Sequence, residues 1–137
     1  MSVGQVERSY LMFDLSSIPP GATVTSASLT ICRTNGSGGS RTHELRAVTS
    51  AWTEMGLTWN TQPALAPSAS HTITVPPSAS CTFASVKENV QAWVAFAPNF
   101  GWRIADQDEG TAPHVEYATR EEPTVVQRPV LSVTYTP

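Results

Sequence analysis

Lysine is nearly absent from this chain: seven arginines and a single lysine, Lys87, supply all of its basic side chains across 137 residues. The arginines are scattered, so no stripe exists that could neutralise several neighbouring phosphates, which removes nucleic acid from the expected partners. Charge of either sign is scarce too. Charged residues make up 14% of the chain and the net charge is -3, a balance that suits a β-rich extracellular module better than a cytosolic helical enzyme. Long apolar runs are also missing. No stretch approaches the ~18 apolar residues of a membrane span, and the opening S-V-G-Q-V-E-R-S has neither a basic nor an apolar signal region. The chain as it stands therefore reads as soluble, without membrane insertion, and as one domain of a longer secreted protein. Cysteine is limited to Cys32 and Cys81. They allow one disulfide, and two buried thiols fit the sequence equally well.

Proline and glycine are present in number, 11 and 8 respectively, and they divide the chain into short strand-like runs. The length fits one domain, residues 1–137, with an adequate core. Residues 8–15, R-S-Y-L-M-F-D-L, read as a central strand buried on much of both faces, with Ser9, Leu11, Phe13 and Leu15 on one and Tyr10, Met12 and Asp14 on the other. Pro19, Pro20 and Gly21 end it in a turn. Residues 23–33 alternate, with Ala27, Leu29 and Ile31 inward. Residues 34–40, T-N-G-S-G-G-S, are expected to form a hairpin loop leading to a return strand over 41–49. Further short strands are expected over 71–75, 81–84, 102–105, 114–118 and 129–136. One amphipathic helix is predicted at about residues 86–96: Ser85 and Glu88 have capping-box spacing, Val86, Val90, Trp93 and Val94 form an apolar stripe, and Pro98 stops it. About eight short strands and one helix argue an all-β fold, an antiparallel β-sandwich of jelly-roll type.

The densest cluster of large aromatics and turn residues is W-T-E-M-G-L-T-W-N-T-Q-P, residues 52–63. Gly56 and Pro63 break any regular helix, so the expectation is one helical turn near residues 53–55 followed by a short strand. Its tryptophans either plug the core or offer faces for stacking.

Catalytic signatures are weak. His43, His71 and His114 are far apart and lack zinc-ligand spacing. No nucleophile elbow appears, and pairs drawn from Glu44, Glu54, Glu88 and Glu116 are what any sandwich of this size supplies. Asp106, Asp108 and Glu109 have the alternating oxygen donors of a calcium loop without its full pattern, so a structural calcium is a candidate beside a solvated acidic loop. A lysine cross-link is disfavoured because Lys87 falls in the exposed first turn of the helix, while a histidine-to-aspartate link stays open. What remains is surface recognition: Trp52, Trp59, Asn60, Trp102 and Arg103 are the candidates for stacking on sugar rings and bonding their hydroxyls, with at most two tryptophans facing solvent.

Four segments in order, residues 8–29 (beginning R-S-Y-L-M-F-D-L-S-S-I-P-P-G), 52–63, 86–104 (V-K-E-N-V-Q-A-W-V with P-N-F-G-W-R-I) and 118–136 (A-T-R-E with R-P-V-L-S-V-T-Y-T), resemble the DNRLRE domain family. The resemblance implies a secreted or cell-surface β-sandwich module, attached to polysaccharide-degrading enzymes or repeated along surface proteins. It implies no catalysis, and some relatives are alginate-binding carbohydrate-binding modules. Arg120 and Glu121 match the closing arginine-glutamate pair of the family, read as a structural pair near the last strand. Two departures stand out. The usual opening strand is reduced to residues 2–4, which would leave a sheet edge open to another segment or to an edge-strand homodimer. The scarcity of lysine leaves only arginine to meet an anionic polysaccharide.

The reading is a non-catalytic extracellular module that binds a polysaccharide and neighbours other domains. Its rival is a structural stalk or adhesin module held by a disulfide or another internal cross-link.

Overall fold

Alternation of apolar and polar residues builds two sheets whose inner faces share one core. In the computed structural model, which describes residues 1–4, 7–36 and 39–137, the first sheet runs β1 (Ser2–Val3), β8 (Val115–Tyr117), β3 (Thr23–Gly36), β6 (Ser80–Ser85), with β9 (Val130–Thr136) also paired to β3. The second runs β2 (Ser9–Leu11), β7 (Trp102–Asp106), β4 (Arg41–Ala47), β5 (His71–Val75). All pairings are antiparallel. Successive strands change sheet except from β4 to β5 and from β8 to β9, which is the interlocked wiring of a jelly roll. The expected all-β sandwich with one short helix is what forms.

The long β3 organises the first sheet. Its first half pairs with β9, Thr30 opposite Val130, and its last residues pair with β8, Arg33 opposite Tyr117, so β9 and β8 lie end to end along one side while β6 takes the other. Ala27, Leu29 and Ile31 point inward and are buried, and they meet Leu45, Ile73, Val75 and Ile104 of the second sheet in one core. Each such aliphatic side chain contributes about 2 kcal/mol by leaving water.

Several expectations are corrected. The segment over residues 8–15 is a three-residue edge strand, not a central one: among the described residues β2 pairs only with β7, and Asp14 leaves the ladder to accept a hydrogen bond from the Ser16 amide at 2.9 Å. The residues divide between two faces as expected, but only one is covered: Leu11, Phe13 and Leu15 lie against the core, while Met12 and Asp14 are exposed instead of buried. Residues 34–40 do not close a hairpin, because β3 spends its edges on β6, β8 and β9 while β4 pairs with β5 and β7. The connection crosses between sheets; Ser37 and Gly38 lie outside the described residues. The reduced opening segment does form a strand, β1, with Val3 opposite Val115.

The helix α1 (Lys87–Val94) is shorter than predicted and is not held by a capping box. Ser85 is the last residue of β6, opposite Ser28, and Val86 takes the N-cap position, its amide bonded to the Ala27 carbonyl at 3.0 Å. The helix ends at Val94, ahead of Pro98, where Phe96 adopts a left-handed φ of 78°. Its apolar stripe is as read: Val86, Val90 and Val94 are buried and Trp93 is packed against the core. The Gln91 side chain accepts from the Val24 amide at 2.8 Å and donates to the Ala22 carbonyl at 3.1 Å, tying α1 to the start of β3.

Candidate functional site

The outer face of the second sheet carries a cross-strand row, Tyr10 opposite Arg103 and Arg103 opposite Arg46. Residues 52–62 fold against the β2 edge of this row. They form a turn and then a 3-10 helix, Trp59–Thr61, in place of the expected helical turn and strand. The reason is local: the Thr58 amide donates to Thr61 Oγ1 at 2.8 Å and Thr61 Oγ1 donates to the Gly56 carbonyl at 2.9 Å, which closes the backbone into a tight turn.

Arg8 fastens this loop to the sheet. Its Nε and Nη2 donate to the two carboxylate oxygens of Glu109, each at 2.8 Å, and Nη1 donates to Gln62 Oε1 at 2.8 Å. Glu109 holds the guanidinium above its ordinary value, against the opposing effect of burial. Tyr10 Oη donates to the same Gln62 oxygen at 3.0 Å, and Gln62 Nε2 donates to the Trp59 carbonyl at 2.9 Å. Arg8 Cζ sits 4.7 Å from the centre of the Trp59 ring, a cation-π contact. The Trp52 ring centre lies 5.6 Å from that of Tyr10, and its Nε1 donates to the Phe100 carbonyl at 2.7 Å.

Arg8, Tyr10, Trp52, Trp59 and Gln62 border a cleft of about 1010 Å³ along β2, lined also by Glu54, Leu57 and Met12 and by Thr119, Arg120 and Pro129. Trp59 is 53% exposed, Trp52 half-buried. The cleft thus offers aromatic faces beside hydrogen-bonding groups already held in place.

Two expected site residues lie elsewhere. Trp102 is fully buried, not a surface platform. It shares the inward face with Ile104, opposite Leu11 and Ala47, packs 4.7 Å from Trp93, and donates from Nε1 to Asn89 Oδ1 at 2.8 Å. Arg103 points to the outer face but is covered there, donating to Glu44 Oε1 at 3.0 Å, and it does not line the cleft. Burial lowers its pKa. Residues 102–106 therefore form a core strand, so they cannot share a binding surface with residues 52–60. Asn60 is exposed on the 3-10 turn beside Trp59, outside the cleft lining.

The acidic candidates face different partners. Asp106 is buried and receives Arg41 Nε and Nη2 at 2.9 Å each, plus the Asp108 amide at 2.8 Å. Burial pushes its carboxyl up, but the Arg41 and Asp108 bonds outweigh it and leave it below the usual value. Asp108 accepts from the Thr111 hydroxyl, and Glu109 serves Arg8. Among the described residues no group of three or more His, Cys, Asp and Glu could hold a metal ion. Deeper in the same end of the sandwich, His43 Nδ1 is 2.6 Å from Tyr117 Oη, and its Nε2 faces Asp106 Oδ2 at 3.3 Å, off hydrogen-bond geometry. Burial lowers the His43 pKa to about 4 and raises that of Tyr117.

Cys32 and Cys81 stand directly opposite on β3 and β6 and are joined by a disulfide. Arg120 donates to Glu121 at 3.1 Å, and also to Glu54 of the aromatic loop at 2.7 Å, so Arg120 borders the cleft with Glu54 while Glu121 lies outside its lining. Arg8, Tyr10 and Gln62 are the site residues that the sequence reading missed. The available signal was the placement of Tyr10 on the face of β2 opposite Leu11.

A jelly-roll sandwich with aromatic rings and pre-positioned polar groups in an open cleft has the chemistry of a sugar-recognition protein. The family model for Carbohydrate-binding module family 96 matches residues 1–135, and the chain belongs to that family. No curated protein matches it.

Proposed function

We propose that the chain is a non-catalytic accessory module that binds a polysaccharide in the cleft beside β2, with Trp59 and Trp52 as stacking platforms and Tyr10, Gln62 and Arg8 as their polar frame. The observation that carries this reading is the half-exposed Trp59 ring held by Arg8 over an aromatic-lined cleft in a member of a carbohydrate-binding family. The Cys32–Cys81 bridge supports an extracellular or cell-surface setting, where disulfides persist. The finer likeness to DNRLRE domains, and a place beside other domains of a larger protein, belong to the same reading. Affinity electrophoresis through gels containing a panel of polysaccharides tests it. Retardation by at least one polymer, weakened in a folded Trp59→Ala variant, is expected; free migration through every gel would transfer the preference to a structural stalk.

One observation favours a second reading, a module that pairs edge to edge. Among the described residues β9 pairs with β3 only, and its sequence V-L-S-V-T-Y-T has neither charge nor proline to protect the other side. Sedimentation that finds a monomer at every concentration removes the homodimer.

A further inference from the structure

We infer that Glu109, which stands outside the cleft lining, is a positioning residue for the Trp59 platform and acts on it through Arg8; this deepens the proposed function and rests on it. Burial does not hold Trp59. Its ring is 53% exposed and belongs to a three-residue 3-10 helix in which no residue is buried. The Arg8 guanidinium meets that ring, 4.7 Å from its centre. A guanidinium on a flexible stem has no fixed face until its donors are engaged, and here the two carboxylate oxygens of Glu109 take Nε and Nη2 at 2.8 Å each. Those two bonds set the guanidinium plane. The third donor, Nη1, then falls on Gln62 Oε1, and the amide nitrogen of Gln62 holds the Trp59 carbonyl. Ring and backbone of Trp59 both lead back to one carboxylate.

Glu109 is itself held in place. It follows β7 in a loop where the Gln107 amide donates to the Thr42 carbonyl at 2.9 Å, the Asp108 amide to Asp106 Oδ1 at 2.8 Å, and the Thr111 hydroxyl to Asp108 Oδ2 at 2.9 Å. The acidic loop is therefore a bracket that carries a carboxylate from the second sheet to the aromatic loop. The Arg8 and Glu109 side chains are 24% and 28% exposed, and a partly exposed pair adds little to overall stability. Its effect falls on pre-organisation instead. Without Glu109, the Arg8, Gln62 and Trp59 side chains must be ordered by the arriving sugar, at a cost subtracted from affinity.

The test compares the chain with Glu109→Ala, Glu109→Gln, Glu109→Asp, Trp59→Ala and the Glu109→Ala/Trp59→Ala double variant in gels containing alginate, polygalacturonate, mixed-linkage β-glucan or galactomannan. Urea midpoints are taken alongside. In a polymer that retards the parent chain, Glu109→Ala should weaken retardation about fivefold with its midpoint nearly unchanged. Glu109→Gln, which cannot accept both guanidinium bonds, should match it, and Glu109→Asp should recover part of the affinity. In the Trp59→Ala background the Glu109 change should have no further effect. Acrylamide quenching of the emission that Trp59→Ala removes should rise in Glu109→Ala with no polysaccharide present. Retardation that Glu109→Ala leaves unchanged, weakens equally with and without Trp59, or weakens only in step with a falling midpoint overturns the assignment to Glu109 and leaves the polysaccharide-binding reading standing. Free migration of the parent chain through all four gels overturns that reading, and with it any role of Glu109 in binding.

Discussion

Two regions of this molecule are built from the same materials and do opposite things with them. At one end of the sandwich, Arg41, Asp106, His43 and Tyr117 join an arginine, a carboxylate and aromatic rings between the sheets. Beside β2, Arg8, Glu109, Tyr10 and Trp59 do the same on the outside. In the first region His43 and Tyr117 are closed off from water, so the cluster can only hold the sheets in register. In the second the arginine-carboxylate pair is partly exposed and leaves a ring half uncovered. The difference lies in which face of the strand each residue occupies: His43 and Asp106 point inward on β4 and β7, whereas Tyr10 points outward on β2. An arginine-carboxylate-aromatic set is therefore no functional signature until its burial is known.

The most severe way to break the contrast is to truncate one tryptophan on each side. Trp102→Ala empties a fully packed position and should cost about 4 kcal/mol, while Trp59→Ala, half exposed, should cost under about 1 kcal/mol. Urea unfolding of both variants checks this, and equal losses would contradict the assignment of Trp102 to the core and Trp59 to the surface.

Acid should strike the buried region next. His43 is neutral in the fold with a pKa of about 4, but in the unfolded chain it takes up a proton near pH 6.5. The unfolded state binds more protons as pH falls between these values, so stability drops through that window by about 3 kcal/mol. Asp106, held below its usual value, acts in the same direction at lower pH. Denaturant midpoints at pH 7 and pH 4.5 measure the effect; a flat profile over that interval is incompatible with a buried neutral His43.

Reduction of the Cys32–Cys81 rung, which closes a sequence separation of 49 residues, should lower stability by roughly 3 kcal/mol. It should leave polysaccharide retardation intact wherever the chain stays folded, since neither cysteine lines the cleft. Loss of binding by a reduced but folded chain would mean that the two regions are coupled.

The smallest effect belongs to His114, which lies 2.6 Å from Glu7 and 2.8 Å from Glu116 and is about as exposed as they are. Hydrogen bonds to Glu116 and Glu7 raise its pKa, the reverse of His43. Its contribution is present below pH 6.5 and fades as pH rises through the raised value. An NMR titration should separate the two histidines, His43 on the acid side of pH 6.5 and His114 on the basic side. The opposite order would reverse the electrostatic contrast drawn between them.

Much of this was readable from residues alone. Alternation marked Leu29 and Ile31 as inward and set Tyr10 on the face opposite Leu11, because a strand's side chains alternate whatever it pairs with; that the Tyr10 face is the outer one was not readable. The valine stripe of α1 was visible for the same kind of reason, a fixed period. The density of aromatics and turn residues over 52–63 pointed to the loop that borders the cleft. Pairing was not readable. Ser85 looked like a helix cap until β6 claimed its backbone, residues 34–40 looked like a hairpin until β3 and β4 went to different sheets, and Trp102 looked as available as Trp59. Local periodicity needs only neighbours in the chain, so the sequence by itself determined the strands' faces and the two-sided sandwich. Which tryptophan is covered, which carboxylate each arginine meets and where the cleft opens depend on contacts between residues far apart in the chain. Arg8 and Glu109, 101 positions apart, meet only once the fold has formed.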